Sequence, residues 1–174
     1  MVDQPLFQRV LVANRGEIAV RVMRGLRELG IESVAVHSDV DAKCAHVLAA
    51  DHVVALGGNT AAESYLDIDK VLAAAKSSGA QAIHPGYGFL SENSAFVRAV
   101  VAAGLAFIGP NAEAMDRLGG KKAAREEAVA AGVPVIPGTE QDLGDDKLIE
   151  VAKEIGMPVM VKASAGGGGR GMRR

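Results

Sequence analysis

Aromatic residues and cysteine are scarce in this sequence, and each scarcity excludes a class of protein. Only 3% of the 174 residues are Phe, Trp or Tyr, and tryptophan is absent. Proteins that bind single-stranded nucleic acid stack the bases on exposed aromatic rings, so we expect no such surface here. The single cysteine, Cys44, excludes an internal disulfide and is typical of proteins in a reducing compartment.

The sequence also lacks an excess of one charge and any long apolar run. Its net charge is −2, from 19 Lys and Arg against 21 Asp and Glu, which argues against a nucleic-acid partner. No apolar segment approaches the roughly 20 residues of a membrane span. Residues 1–5 hold neither the basic nor the apolar part of a signal peptide. We therefore expect a cytoplasmic protein without a membrane partner.

Short apolar segments alternate with helical patterns along most of the chain. The predicted strands of the first part are residues 9–13, 33–37, 52–56, 82–84 and 106–108. The predicted helices are residues 18–29, 44–49, 68–77, 91–103, 112–118, 122–131 and 145–155. In the first helix Ile18, Val22, Leu26 and Leu29 recur at helical spacing, and Ser91 is expected to cap the fourth. This alternation predicts an α/β fold with a doubly wound parallel sheet.

A segment rich in proline and glycine is the predicted domain boundary. Residues 132–138, GVPVIPG, contain too many of both for an interior strand. We expect a first domain at residues 1–131, a linker at 132–139, and the beginning of a second domain at 140–174. In the second domain, residues 158–163 are the predicted strand.

The strongest chemical signal is a glycine loop that follows this last strand. The loop contains the glycines Gly166, Gly167, Gly168, Gly169 and Gly171. A loop without Cβ atoms can fold tightly and bring its N–H groups against phosphate oxygens. Neither the dinucleotide fingerprint nor the P-loop fits its surroundings. The loop is therefore predicted to be a phosphate-binding hairpin, with a flexible linker as the alternative.

Two lysines are candidate phosphate ligands. Lys162 ends the apolar strand before the glycine loop, where an ammonium group is costly unless an anion compensates it. A surface lysine whose stem covers apolar groups is the alternative. Lys121 begins a predicted helix, where a positive charge opposes the helix dipole unless an anion is bound. A solvated surface charge is its alternative.

The segment HPGYGFLSEN, residues 84–93, follows the carboxyl end of a strand. Doubly wound sheets bind their ligands at that edge. Two glycines beside Tyr87 would let backbone and ring approach a small ligand closely. His84 is as well explained by a structural role, and Ser91 by a helix cap. No catalytic triad is assembled, and the four histidines lack the spacing of metal ligands.

These segments together resemble the N-terminal part of biotin carboxylase, the ATP-grasp subunit of acyl-CoA carboxylases that also begins pyruvate carboxylase. The resemblance covers essentially the whole chain in order. The segments that carry it are VANRGEIA at 12–19, AVHS at 35–38, ESYL at 63–66, HPGYGFLSEN at 84–93, FIGP at 107–110 and KASAGGGGRGM at 162–172.

This resemblance implies a Rossmann-like domain before the start of an ATP-grasp lid, in an ATP- and Mg-dependent ligase. Such an enzyme activates bicarbonate as carboxyphosphate and carboxylates biotin on a carrier protein that also serves a carboxyltransferase subunit. Lys121, Lys162 and the glycines of the loop would bind ATP, and Tyr87 and Gly88 would lie beside biotin. The helix bearing Arg21, Arg24 and Glu28 would contribute to a homodimer.

The resemblance also implies that the metal-binding, bicarbonate-binding and acid/base residues follow Arg174. We therefore expect no catalytic residue and no metal ligand in this chain, and no activity of the chain alone. We expect the hairpin to lack its returning strand and the segment from Ala163 to be mobile. Gly120 replaces an aspartate that the family usually has. The alternatives are another ATP-grasp ligase, similar to carbamoyl-phosphate synthase, and a non-catalytic dimerisation or docking module.

Overall fold

The computed structural model describes residues 6–138, 144–162 and 172–173. The strands are β1 (Arg9–Val12), β2 (Glu32–His37), β3 (His52–Ala55), β4 (Ala82–His84), β5 (Ala106–Phe107), β6 (Val161–Lys162) and β7 (Met172–Arg173). The helices are α1 (Gly16–Glu28), α2 (Ala45–Ala49), α3 (Ile68–Ser78), α4 (Ser94–Ala102), α5 (Ala112–Leu118), α6 (Lys121–Ala130) and α7 (Asp145–Ile155). The chain forms two compact units, Met1–Asp116 and Arg117–Arg174.

The first unit is built on a five-stranded parallel sheet in the order β3-β2-β1-β4-β5. The chain runs outward from β1 through β2 to β3, then crosses back to pair β4 with the other side of β1. The point where the order reverses lies between β1 and β4, where Val12 is opposite His84. The prediction of a doubly wound parallel sheet is confirmed.

Helices cover both faces of this sheet, which explains why its strands are apolar on both sides. Along β1 the side chains alternate between the two faces. Leu11 belongs to the core beneath α3 and α4, whereas Val10 and Val12 belong to the core beneath α1. All three side chains are fully buried.

Helix α1 buries a different set of residues from the one that the sequence predicted. Ala19, Met23 and Leu26 are buried, whereas Leu29 lies beyond the helix end and is 67% exposed. Ile18 and Val22 lie half-buried along the border of the apolar face. Of the four predicted residues only Leu26 is buried, and Ala19 and Met23, which the prediction omitted, share its core.

The C-terminus of α3 is set by a neighbouring glycine, whereas the N-terminus of α4 depends on the turn that precedes it. Helix α3 ends at Ser78, one residue beyond the predicted bound, and Gly79 follows it in the left-handed conformation that favours glycine there. The predicted cap of α4 is wrong: Ser91 lies in a turn, and Asn93 accepts a 3.0 Å hydrogen bond from the Phe96 N–H. A tight turn occupies the residues after Gly88, since the Ser91 N–H donates to the Gly88 carbonyl. The helix therefore begins after this turn.

The second unit contains α6, α7 and an antiparallel pair formed by β6 and β7. Helix α7 has the predicted bounds. The predicted strand is shorter than expected, since pairing begins at Val161. The expectation that no strand returns after the glycine loop is wrong, because Lys162 pairs with Met172. The domain limits and the mobility of the segment from Ala163 onward remain predictions; residues 163–171 and 174 lie outside the described part.

Candidate functional site

A shallow cleft of about 330 Å³ lies at the carboxyl ends of β1 and β4. This is the position where the strand order reverses, and doubly wound sheets bind their ligands there. The loop after β1 forms one wall and the loop after β4 forms the other. The lining residues are Asn14, Arg15, Gly16, Glu17, Ile18, Tyr87, Gly88 and Phe89. The cleft therefore includes both residues that were predicted to lie beside biotin.

Asn14 ties the two walls together. Its side-chain NH₂ group donates to the Pro85 and Tyr87 carbonyls, each at 2.7 Å, and its side-chain oxygen accepts from the Arg15 N–H at 2.9 Å. The residue is 97% buried, so these bonds replace the water that its amide would otherwise need. This role of Asn14 was not predicted from the sequence. A polar residue directly after the apolar run of residues 10–13 was the available signal.

Gly86 lies against this asparagine and has a φ of +64°. A Cβ at this position would be 2.8 Å from Asn14 Nδ2 and 3.2 Å from Ile18 Cγ1. Glycine is thus required both by the backbone conformation and by the close approach of the two loops.

Tyr87 and Gly88 form the open part of the second wall. The Tyr87 side chain is 60% exposed, and its hydroxyl donates to the Glu17 carboxylate across the cleft. This hydrogen bond raises the pKa of Tyr87, because the carboxylate stabilises the protonated phenol. Gly88 has a φ of +69°, and an added Cβ would meet no atom within 4 Å. A ligand in the cleft could therefore approach the Gly88 backbone closely.

His84 supports the turn behind this wall. Its Nδ1 accepts a 3.0 Å hydrogen bond from the Gly86 N–H. Burial lowers the pKa of His84, which favours the neutral ring that such an acceptor requires. These contacts favour the structural role over a catalytic one.

A second polar network lies beside the cleft, around the carboxylate of Asp41. Asp41 Oδ2 accepts from Arg15 Nη1 at 2.9 Å, from the Tyr65 hydroxyl at 2.7 Å and from Ser38 Oγ at 3.0 Å. Burial alone would raise the pKa of Asp41, but these hydrogen bonds lower it to about 2. Burial and the bond to Asp41 raise the pKa of Tyr65 to about 12. The carboxylate therefore remains charged, and the phenol remains protonated, near neutral pH.

The Arg15 guanidinium also faces two aromatic rings. Its central carbon lies 5.4 Å from the centre of the Tyr65 ring and 5.6 Å from that of Phe89. The two rings stack at 5.0 Å with an angle of 7° between their planes. Phe89 has a φ of +46°, a conformation that costs an L-residue roughly 1–2 kcal/mol. Sequence reasoning missed this cluster.

The predicted ATP-binding residues belong to the second unit. Lys121 is the first residue of α6, as expected, and Lys162 ends β6. The side chains of both lysines lie outside the described part, as do Gly166, Gly167, Gly168, Gly169 and Gly171. Their assignment to ATP remains a prediction.

The described residues offer neither a metal cluster nor a membrane-spanning helix. Within residues 6–138, 144–162 and 172–173, no group of three or more His, Cys, Asp or Glu side chains could hold a metal ion. No helix in these same ranges is long and apolar enough to cross a membrane.

Comparison with known protein families decides the membership of the first unit. Residues 6–115 match the family described as "Biotin carboxylase, N-terminal domain". The chain belongs to this family. Residues 120–174 match "Carbamoyl-phosphate synthase L chain, ATP binding domain". The biotin carboxylase N-terminal domain thus contains the whole cleft, and the glycine loop falls within the second match.

Curated relatives extend the similarity over nearly the entire chain. It is 52% identical over 169 residues to a biotin carboxylase from Halalkalibacterium halodurans, covering 97% of this chain and 37% of the relative. It is 51% identical over 172 residues to the mitochondrial propionyl-CoA carboxylase alpha chain of Caenorhabditis elegans, covering 98% of this chain and 24% of the relative. The chain therefore spans about a quarter to two-fifths of these relatives.

Solved structures share the fold of this biotin carboxylase N-terminal domain. One is a biotin carboxylase domain dimer of the Hydrogenobacter thermophilus 2-oxoglutarate carboxylase, in complex with MgADP, ADP and bicarbonate. It has a TM-score of 0.85 and 46% identity, over 96% of this chain and 37% of that one. A Campylobacter jejuni biotin carboxylase has a TM-score of 0.86 and 46% identity, over 96% of this chain and 38% of that one.

Proposed function

We propose that this chain is the N-terminal part of a biotin carboxylase, an ATP-dependent ligase. In the complete enzyme, ATP would phosphorylate bicarbonate to carboxyphosphate with release of ADP. The carboxyl group would then pass to N1 of biotin on a carrier protein, with release of phosphate. The relatives named biotin carboxylase support this proposal, as does the bicarbonate and MgADP complex of the Hydrogenobacter domain.

The observation that carries the proposal is the position of the cleft. Tyr87 and Gly88 lie at the reversal point of the strand order, within the segment that matches the biotin carboxylase N-terminal domain. The open approach to the Gly88 backbone suits a flat, polar ring such as the ureido ring of biotin. We assign these two residues to the biotin side of the active site.

We assign ATP to the second unit. Lys121 and Lys162 would supply positive charge to the phosphates, and the N–H groups of Gly166, Gly167, Gly168, Gly169 and Gly171 would bind their oxygens. The match of residues 120–174 to an ATP-binding domain supports this assignment. The family implies magnesium as well, but the described residues contain no suitable group of side chains. We therefore assign no metal ligand to them.

The partners follow from the same proposal. We expect a biotin carrier protein or domain and a carboxyltransferase subunit, in a cytoplasmic acyl-CoA carboxylase. The propionyl-CoA carboxylase and acyl-CoA carboxylase relatives support this type of complex. We also expect a homodimer through the exposed side chains of Arg21 and Arg24 on α1. The dimeric Hydrogenobacter domain supports that expectation.

The test compares two glycine variants of the complete enzyme. Gly88→Ala places a methyl group in the cleft, whereas Gly104→Ala places one in open space at the other end of the sheet. Both positions have a left-handed backbone, so both variants should lose a similar amount of stability, roughly 1–2 kcal/mol. Biotin-stimulated, bicarbonate-dependent ATP hydrolysis is measured with free biotin.

We expect Gly88→Ala to raise the KM for biotin roughly fivefold or more, and Gly104→Ala to change it by less than about twofold. Equal KM values in the two variants would contradict the assignment of the cleft. A wild-type enzyme whose ATP hydrolysis requires neither biotin nor bicarbonate would contradict the proposed function itself.

A further inference from the structure

Phe89 is held in an unfavourable backbone conformation at the edge of the cleft. Among the non-glycine residues that the structure describes, it is the one with a positive φ. It follows Tyr87 and Gly88 directly and lines the same cleft. Something outside the loop must therefore stabilise this conformation, because a Cβ disfavours it.

The contacts of the Phe89 ring identify what stabilises it. The ring stacks on Tyr65 at 5.0 Å, and the Arg15 guanidinium lies 5.6 Å from its centre. A guanidinium is attracted to the faces of aromatic rings and is weakly hydrated, so it suits this position better than an ammonium. Arg15 also faces the Tyr65 ring, and therefore contacts both members of the stack.

The Asp41 carboxylate completes a closed set of contacts. Arg15 Nη1 and the Tyr65 hydroxyl both donate to the same oxygen, Asp41 Oδ2. Ser38 Oγ donates to that oxygen as well. The guanidinium and the ring that support Phe89 are thus fixed by one anion. These groups follow β1, β2, β3 and β4, so the network joins four loops at one edge of the sheet.

We propose that Arg15 is a positioning residue for the biotin side of the active site. It holds Phe89, and with it the wall formed by Tyr87 and Gly88, in the conformation that binds the ureido ring of biotin. The inference rests on the proposed function. It assigns to Arg15 no contact with a reacting atom. Its effect is transmitted through the Phe89 ring and appears in the affinity for biotin.

The experiment replaces Arg15 by methionine in the complete enzyme, with Arg98→Met as the matched control. Methionine keeps an unbranched stem and removes the guanidinium. Arg98 also pairs with an aspartate, Asp116, and its side chain is 51% exposed against 46% for Arg15. We expect Arg15→Met to raise the KM for free biotin roughly fivefold, with the KM for ATP changed by less than about twofold. Arg98→Met should leave both values unchanged.

A double-variant cycle tests the route through Phe89. Glycine adopts a positive φ without the cost that a Cβ imposes. In a Phe89→Gly background, Arg15→Met should therefore raise the KM for biotin by less than about twofold, because the wall no longer depends on the guanidinium. An undiminished effect in that background would mean that Arg15 acts directly on the ligand, and would overturn the proposal. Should Arg15→Met fail to fold, Arg15→Lys serves instead, because lysine lacks the flat guanidinium face.

The remaining outcomes separate this inference from the proposed function. An Arg15→Met enzyme with a lower melting temperature and an unchanged KM for biotin would overturn the inference, because Arg15 would then support only stability. An equal rise in the Arg98→Met enzyme would overturn it too. A wild type without biotin-stimulated ATP hydrolysis contradicts the proposed function, and the inference falls with it.

Discussion

Both ends of the central sheet carry ion pairs, but only at one end is the carboxylate shielded from solvent. At the amino end Glu32 accepts from Arg9 Nε at 2.9 Å and lies 3.0 Å from His52 Nε2, with its side chain 52% exposed. At the carboxyl end Asp41 pairs with Arg15 and has a side chain only 13% exposed. The pairs at the amino end join the neighbouring strands β1, β2 and β3, and the pair at the carboxyl end joins the loops that follow β1 and β2.

The difference in solvent exposure between Glu32 and Asp41 decides how much each carboxylate can contribute to stability. Exposed ion pairs contribute little to stability, because water screens them and long side chains lose entropy on pairing. The Asp41 carboxylate is shielded, and several donors from different loops share it. We conclude that the carboxyl end is fixed by its side chains, and this is the end that bears the cleft.

The largest expected effect comes from removing the shielded Asp41 carboxylate. Asp41→Ala leaves the donors of Arg15, Tyr65 and Ser38 without their acceptor, so it should lower the free energy of unfolding by about 3 kcal/mol. The matched variant, Glu32→Ala, should produce no resolvable change, because the Glu32 side chain is itself 52% exposed and water screens its ion pairs. Urea denaturation of the purified variants measures both. Similar midpoints for the two variants would contradict the contrast between the sheet ends.

Two glycines with left-handed backbones allow the two ends of the sheet to be compared at matched positions. Gly86 at the carboxyl end and Gly79 at the amino end have φ values of +64° and +69°. Alanine at either position costs roughly 1–2 kcal/mol through the left-handed backbone. At Gly86 the Cβ would also meet Asn14 Nδ2 at 2.8 Å, whereas at Gly79 the nearest atom is 3.6 Å away.

Gly86→Ala should therefore destabilise the protein by about 1 kcal/mol more than Gly79→Ala, as overpacking adds to the backbone cost. Thermal or urea unfolding of the two variants measures the difference. If Gly79→Ala proved equally destabilising, the close contact between Gly86 and Asn14 would not contribute to the cost of the substitution.

A further expected effect is a pH dependence that arises from Asp41 at the carboxyl end of the sheet. The pKa of Asp41 is lowered to about 2, against an ordinary value of 3.8. The unfolded chain therefore binds this proton first, so the stabilisation is present above about pH 4 and is lost as the pH falls towards 2. The wild type should lose about 2 kcal/mol relative to Asp41→Asn over this interval. A constant difference between the two proteins would show that Asp41 is not paired as described.

Local patterns in the sequence predicted the elements, whereas the cleft depended on contacts between distant segments. Helix α7 and the end of α3 at Gly79 follow from apolar spacing and glycine chemistry over a few residues. Tyr87 and Gly88 could be placed at the carboxyl edge of the sheet because their segment directly follows a strand. The five-strand order was not readable locally, since it depends on which neighbours pair.

The Arg15–Asp41 pair could not be predicted in the same way. The residues are 26 positions apart and meet only because β1 and β2 are adjacent in the sheet. Capping was ambiguous for a related reason: Ser91 and Asn93 are both good cap residues, and the turn after Gly88 selects the second. The role of Asn14 could have been predicted, because a polar residue that follows a buried apolar run needs hydrogen-bond partners.

The most direct test of the central claim is the structure of the complete enzyme with biotin, bicarbonate and MgADP bound. The account predicts that the ureido ring of biotin contacts Tyr87 and Gly88 within about 4 Å. It also predicts that Phe89 keeps its positive φ beneath the Arg15 guanidinium. Biotin bound away from the cleft between β1 and β4, with neither residue in contact, would contradict the account.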